Sequence, residues 1–333
     1  MGIGVSIGEF VFGAGVSLAT SWVLVSRLER VGERLRLSEA LLGMVAALAA
    51  DAPEITASIT ALAHNERAVG AGVVIGSNVF NLAALLGLGA VVAGGFGLHR
   101  KVIWLGGTIA LWVALVCLIT VTGVVSAAVG LVLVVVVLLP YIVLLGTHRR
   151  GLPWLPLPLR SKRWLLSAVD EEELELVVAI RPPRGTPVDA LVAAVSLVVV
   201  VAASVTMERG ASSIGVHFGI SDIVVGGLVL AAVTSLPNAV AAIHLARNGR
   251  GEAALSTGLN SNNLNVVVGL LLPAVFIGVT HLSGQGFVIA GWYVGLTALT
   301  LVLAYAGRGL RPWSGWLIMG GYVSFVVTLL AIG

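Results

Sequence analysis

The chain has 333 residues, 58% of them hydrophobic and 11% charged, with a formal net charge of +3. A soluble domain carries about 25% charged residues, so these proportions, with a mean hydropathy of +1.05, exclude a soluble globular protein. Continuous apolar runs, many of them long enough for the about 20 residues of a bilayer-spanning helix, take the place of the short alternating segments of a β-barrel, so the fold class is an all-α polytopic membrane protein.

The first span covers 4–26, with small residues Gly13, Gly15, Ser17 and Ala19. No basic stretch precedes it, so no cleaved signal peptide is expected. Span 2 (38–63) carries Ala49-Ala50-Asp51-Ala52-Pro53-Glu54, and span 3 (68–95) carries Gly76-Ser77-Asn78-Val79-Phe80-Asn81. Span 4 (101–122) holds the single cysteine, Cys117, which excludes an intramolecular disulfide and reads as a buried thiol. Thr122-Gly123 separates it from span 5 (125–147). Residues 148–186 form the one long polar segment, with Arg149-Arg150, several prolines and the acidic run Asp170-Glu171-Glu172-Glu173. It reads as a linker containing some surface helix. Span 6 (187–208) carries Ala193, Ala194 and Ser196. Span 7 (219–246) carries Val233-Thr234-Ser235-Leu236-Pro237-Asn238, and span 8 (252–280) carries Asn260-Ser261-Asn262-Asn263-Leu264-Asn265. Spans 9 (286–307) and 10 (313–332) complete the chain, and His64 and His244 fall at span ends.

Odd-numbered loops hold 17 Lys and Arg residues and even-numbered loops hold 2. By the positive-inside rule the odd loops, the linker among them, are cytoplasmic, and both termini lie outside the cell membrane. Five spans per half reverse the second half relative to the first. The chain therefore reads as two inverted five-helix repeats: 1–147 with its motif at about 43–90, and 187–333 with its motif at about 226–274, joined by the cytoplasmic linker 148–186. One offset of 184 superposes Pro53 on Pro237, Ser77 on Ser261, Asn78 on Asn262 and Asn81 on Asn265.

Asp51 and Glu54, three residues apart, share a helix face. They read as the only acids near mid-span; Glu9, Glu39, Asp189, Glu208 and Asp222 fall near span ends. A carboxylate at mid-membrane costs at least about 2.5 kcal/mol and marks function. No Lys or Arg lies mid-span, so a cation or a proton neutralises the pair. Pro53 and Pro237 each remove a helical hydrogen bond and free a carbonyl in the Leu48–Ala50 and Ala232–Thr234 turns. Ser77 and Asn81, like Ser261 and Asn265, are one turn apart, and Thr234, Ser235 and Asn238 add oxygens. Such hard ligands suit Na⁺ or Ca²⁺. No His/Cys cluster, phosphate loop or nucleophile–base pair is present in the sequence, so neither enzymatic chemistry nor ATP-driven pumping is expected. No cofactor is expected, and no nucleic-acid partner; the partners are cations and the lipid bilayer.

These motifs resemble those of the calcium/cation antiporter superfamily, which includes the sodium/calcium exchangers. Its pattern is G-T-S-x-P-E followed by G-S-N-x-F-N in each of two inverted repeats. Gly76 to Asn81 matches the second part fully; Pro53-Glu54 and Thr234-Ser235-Leu236-Pro237 match parts of the first. The resemblance implies ten helices, with spans 2, 3, 7 and 8 around the ion, spans 1 and 6 sliding across them, and Glu54, Ser77, Asn78, Asn81, Ser235, Ser261, Asn262 and Asn265 among the site residues. This chain departs from the pattern at Ala49-Ala50-Asp51 and at Asn238, which stands where the family has its second glutamate. Asp51 with Glu54 restores two charges, both on the first repeat. The expected function is a secondary antiporter exchanging Ca²⁺ against Na⁺ or H⁺ by alternating access. The alternatives are an exchanger for Mg²⁺ or a monovalent cation, and, from another class, a passive channel or a non-transporting scaffold.

Overall fold

The computed structural model describes residues 2–37, 39–147, 158–179, 185–277 and 284–332. In hydrocarbon every backbone N–H and C=O must be satisfied within the protein, and a helix does this inside one segment. The apolar runs become α1 (Ile3–Arg34), α2 (Glu39–Ala50), α3 (Ala52–Ala63), α4 (Arg67–Asn81), α5 (Gly89–Val92), α6 (Arg100–Val121) and α7 (Ala127–Thr147). After the linker helix α8 (Leu159–Ala179) follow α9 (Pro187–Phe218), α10 (Asp222–Val224), α11 (Ala231–Thr234), α12 (Leu236–Arg247), α13 (Gly251–Leu264), α14 (Leu272–Ile277), α15 (Gly284–Gly307) and α16 (Pro312–Ile332). Turns of π-helix at Leu82–Leu88, Val225–Leu230 and Asn265–Leu271 join α4 to α5, α10 to α11 and α13 to α14. Among the described residues eight helices are long and apolar enough to cross a membrane without a break. Two bent pairs, α2 with α3 at 52° and α10–α11 with α12 at 48°, bring the count to ten.

The offset seen in the motifs extends to the helix boundaries. α1 and α9 each have 32 residues and start at Ile3 and Pro187. The starts of α3 and α12 (Ala52, Leu236) and of α4 and α13 (Arg67, Gly251) are again 184 apart. Each bend falls just before the proline-bearing first turn, where the ring cannot supply a helical N–H.

Burial sets a central helix apart from its outer neighbours. The α4 span is 94% buried against 17% for α1. At 1.5 Å per residue a 32-residue helix is about 48 Å long, more than the about 30 Å hydrocarbon layer, so α1 and α9 tilt or project. They run antiparallel, joined by Ser6 to Ser213 and Ser17 to Ser204, both 2.8 Å between hydroxyl oxygens, and by the Arg27–Asp189 ion pair at 2.7 Å. At Gly13 the helices nearly touch: a Cβ would sit 2.6 Å from the Met207 nitrogen and 2.7 Å from the Ala203 oxygen. Gly13, Ser17, Ala193 and Ser196 are buried, whereas Gly15, Ala19 and Ala194 are exposed. The small residues named on these two spans are therefore divided between a packed face and an outward one. Positions two apart point about 200° apart on a helix, which puts Gly15 and Ala19 on the lipid side.

One expectation is corrected at Glu208. It was expected near the end of span 6, but α9 continues ten residues beyond it to Phe218, and Glu208 is 1% exposed. A span of bilayer thickness underestimates a tilted helix.

α8 packs against α2, α6 and α13. Lys101 Nζ donates to Ser167 Oγ at 3.0 Å, and Trp104 meets Trp164 edge-to-face at 5.4 Å. The acidic run begins at Asp170 within this helix, as the reading of a surface helix requires. Arg149, Arg150, Arg181 and Arg184 lie outside the described residues. Strand β1 (Phe96–Gly97) pairs antiparallel with β2 (Gly309–Leu310), tying two odd-numbered loops together on what is called here the linker face. Cys117 is fully buried, and His64 and His244 are exposed at helix ends.

Candidate cation-binding site

The two bends and the ends of α4 and α13 meet at the centre of the molecule. All eleven expected residues are there, none more than 1% exposed: Asp51, Glu54, Ser77, Asn78, Asn81, Thr234, Ser235, Asn238, Ser261, Asn262 and Asn265. They divide into residues that build the site and residues that offer it oxygen.

Asn78 and Asn262 are builders. Each side-chain amide donates to the other's backbone carbonyl at 3.1 Å, which bolts α4 to α13 across the pseudo-two-fold axis. Their side-chain oxygens accept from the next asparagines: Asn81 Nδ2 to Asn262 Oδ1 at 3.0 Å, and Asn265 Nδ2 to Asn78 Oδ1 at 3.3 Å. These two bonds are related by the 184 offset. With their nitrogens held, Asn81 and Asn265 present buried Oδ1 atoms that have no donor. π-helical turns begin at Leu82 and at Asn265, within one residue of equivalent places, and change the helical register beside the site.

The carboxylates are held asymmetrically. Asp51 Oδ1 accepts from Ser261 Oγ at 2.7 Å and from Asn238 Nδ2 at 2.5 Å. Glu54 Oε1 accepts from Ser235 Oγ at 3.3 Å and lies 3.5 Å from Asn238 Nδ2. Asn238 thus stands between two acids as a donor, where the family's pattern has its second glutamate. Asp51 Oδ2, Glu54 Oε2 and Ser77 Oγ are buried without a partner. Together with Asn81 Oδ1 and Asn265 Oδ1 they make five unpartnered oxygens, two of them on carboxyl groups. Buried polar atoms are otherwise nearly always bonded, and oxygens of this kind are able to accept a positively charged ligand. Among the described residues no group of three or more His, Cys, Asp or Glu comes together, so the donors are few charges and several neutral oxygens, the chemistry of Na⁺ or Ca²⁺.

Two of the expected oxygens already have protein partners. The Thr234 hydroxyl turns back on its own helix, donating to Leu230 O at 3.0 Å, the usual fate of a threonine inside a helix. The Ala49 carbonyl, freed by Pro53, already accepts from Ser21 Oγ at 3.3 Å, so it braces α1 against the bend. Sequence reasoning missed Ser58, whose hydroxyl lies 2.8 Å from both Gly70 O and Gly269 O. It also missed the backbone seam where Gly72 and Gly76 of α4 meet Gly226 and Gly227. A Cβ on Gly72 would lie 2.9 Å from the Gly227 nitrogen, and one on Gly76 would collide with the Gly227 carbonyl. Four glycines at contact positions were the available signal.

A family model described as sodium/calcium exchanger protein matches residues 5–147 and 188–331. The inner membrane protein YrbG of Escherichia coli is 27% identical over 239 residues, 71% of this chain and 69% of that protein. The sodium/calcium exchanger MaX1 of Methanosarcina acetivorans is 31% identical over 114 residues, 34% of this chain and 33% of its own. The sodium/potassium/calcium exchanger 2 of Gallus gallus is 30% identical over 132 residues, 37% of this chain and only 20% of that longer protein. Among solved structures, the sodium-calcium exchanger NCX_Mj superposes with a TM-score of 0.62 at 19% identity, covering 98% of this chain and 99% of that one. That likeness establishes the ten-helix inverted-repeat fold.

Proposed function

The chain belongs to the sodium/calcium exchanger family of membrane cation transporters, and from that premise we propose that it exchanges Ca²⁺ against Na⁺ or H⁺ by alternating access. The observation that carries this reading is the set of five unpartnered oxygens, with Asp51 and Glu54 as its two charges. Ser77, Asn81 and Asn265 complete the ligand set. Asn78, Asn262, Ser235, Asn238 and Ser261 position it. Two negative charges balance one divalent cation, or two monovalent ions, or protons, which is the requirement for exchange at a single site. The division into repeats 1–147 and 187–333 with linker 148–186, a cell-membrane location, and termini outside belong to the same proposal, supported by the excess of basic residues in odd loops.

The second reading, exchange of Mg²⁺ or a monovalent cation, draws on Asn238, which offers a donor where the family pattern has an acid. Proteoliposomes loaded with Na⁺, or with a pH step, separate the two. Ca²⁺ uptake that follows the counter-ion gradient supports the first. Uptake of another cation, with Ca²⁺ neither moving nor competing, would falsify it.

A further inference from the structure

On the linker face α6, α8 and α15 surround a cleft of about 420 Å³. The described residues that line it are Arg100, Lys101, Trp104, Trp164 and Tyr305: two cations, three aromatic rings and no acid. Arg100 is the first residue of α6, Trp104 follows one turn later, and Tyr305 lies two residues before the end of α15. Trp164 comes from α8, which carries Arg160, Lys162 and Arg163 before its first acid, Asp170.

These side chains hold one another in place. The Arg100 guanidinium lies over the Tyr305 ring, 4.9 Å from its centre. Stacking uses the flat face of the group and leaves the fork of N–H donors along its edge, which matches the oxygens of a phosphate. Lys101 Nζ donates to Ser167 Oγ at 3.0 Å, and Trp104 meets Trp164 edge-to-face at 5.4 Å, so α8 steadies a lysine and a tryptophan of α6.

Below the cleft the same two helices turn apolar side chains outward. Trp104, Trp112 and Leu115 on α6 are exposed, as are Tyr305, Val302 and Leu299 on α15. At 1.5 Å per residue the row from Trp104 to Leu115 runs about 16 Å, close to half of the about 30 Å hydrocarbon layer. A dissolved anion would need the cations alone; the rows fit an anion that carries acyl chains. The duplicated fold does not require this arrangement. Adding the offset of 184 takes Arg100, Lys101 and Trp104 to Gly284, Gln285 and Val288, which bring neither cation nor ring to the opposite face. Basic pockets between membrane helices, edged by Trp and Tyr at the interface, suit anionic head groups.

We propose that this cleft holds the phosphate head group of an anionic phospholipid from the leaflet on the linker face, with its acyl chains along the outward rows of α6 and α15. The lipid fastens the linker helix α8 to two membrane-spanning helices. The site is independent of which cation is exchanged.

Native mass spectrometry of the full-length protein, titrated in detergent with phosphatidylglycerol or phosphatidylcholine, tests the site. Wild type is expected to retain one phosphatidylglycerol about tenfold more tightly than phosphatidylcholine. Arg100→Gln and Lys101→Gln are each expected to weaken that retention about fivefold, the contribution of one cation near a membrane surface. Arg247→Gln, exposed on the same face but outside the cleft, is expected to leave it unchanged. Equal retention of the two lipids, or an equal loss in Arg247→Gln, would overturn the site in favour of general surface charge. Glycerol phosphate binding as tightly as the lipid would overturn the role given to the acyl chains, and with it the proposal. If Arg100→Gln fails to fold, Lys101→Gln carries the same test. No Ca²⁺ flux is read, so neither result depends on the transport reading.

Discussion

Replacing Gly76 with alanine drives a methyl group into the main chain of Gly227. The new Cβ would lie 2.7 Å from the Gly227 carbonyl carbon and Cα, and closer still to its oxygen. Carbon–carbon contact is comfortable at about 3.5–4.0 Å, so α4 and the Val225–Leu230 turn must part by about 1 Å. The obstacle is backbone, and no side chain can swing aside to relieve it. Overpacking of this kind costs about 1–3 kcal/mol, which is about a 5- to 150-fold shift away from the sealed arrangement. Amide hydrogen exchange of the protein in lipid nanodiscs reads the change directly. Protection across Val225–Leu230 and the facing turns of α4 is expected to fall by that factor, while α15 and α16 are unaffected. Unchanged protection in a folded Gly76→Ala variant would refute the seam.

Of the bonds that Asn262→Ala removes, the one from the Asn81 amide bears on the ligand oxygen directly, Ser261 Oγ remaining as its second acceptor at 3.2 Å. One buried hydrogen bond is worth about 1 kcal/mol, so cation affinity measured by calorimetry is expected to fall about fivefold with the fold intact; unchanged affinity contradicts the positioning role. Ser212 Oγ lies 2.7 Å from Glu66 and 3.2 Å from Glu208, yet a hydroxyl has one hydrogen to give. Glu208→Gln supplies a donor there and is expected to raise the thermal midpoint; a lower midpoint would show that the acid is needed as it stands. Arg27 is 34% exposed in its pair with Asp189, and such pairs contribute less than about 1 kcal/mol. Arg27→Gln is expected to shift the midpoint by at most a few degrees, less at high salt; a larger loss would make this pair a principal tie between α1 and α9.

Much of this architecture was legible in the residues. Apolar runs between charged loops determine helices in a bilayer almost alone, so all ten spans were found. The 184 offset read from Pro53 and Pro237 recurs in the starts of α1 and α9 and of α4 and α13. That these eleven polar residues gather at the buried centre was legible because polar groups are conspicuous in apolar sequence. Their division of labour was not: Asn78 and Asn81 look alike until the structure shows which oxygen is already bonded. The Ser6–Ser213 and Ser17–Ser204 contacts join residues about 200 apart with no motif at either end. Glu208 was misplaced because α9 runs on to Phe218, past the length that spans a bilayer. The face chosen by Gly13 rather than Gly15 depends on a partner helix that local sequence does not specify.

The most direct measurement of the central claim is the initial rate of Ca²⁺ uptake into proteoliposomes by the wild type, Asp51→Asn, and the double variant Asp51→Ser with Asn238→Glu. If Asp51 supplies the charge that Asn238 lacks, Asp51→Asn loses uptake by about 100-fold or more, as expected when a buried charged partner is removed at about 3–5 kcal/mol. The double variant, which moves the carboxyl to the second repeat, recovers it. Uptake by Asp51→Asn at the wild-type rate would contradict the account.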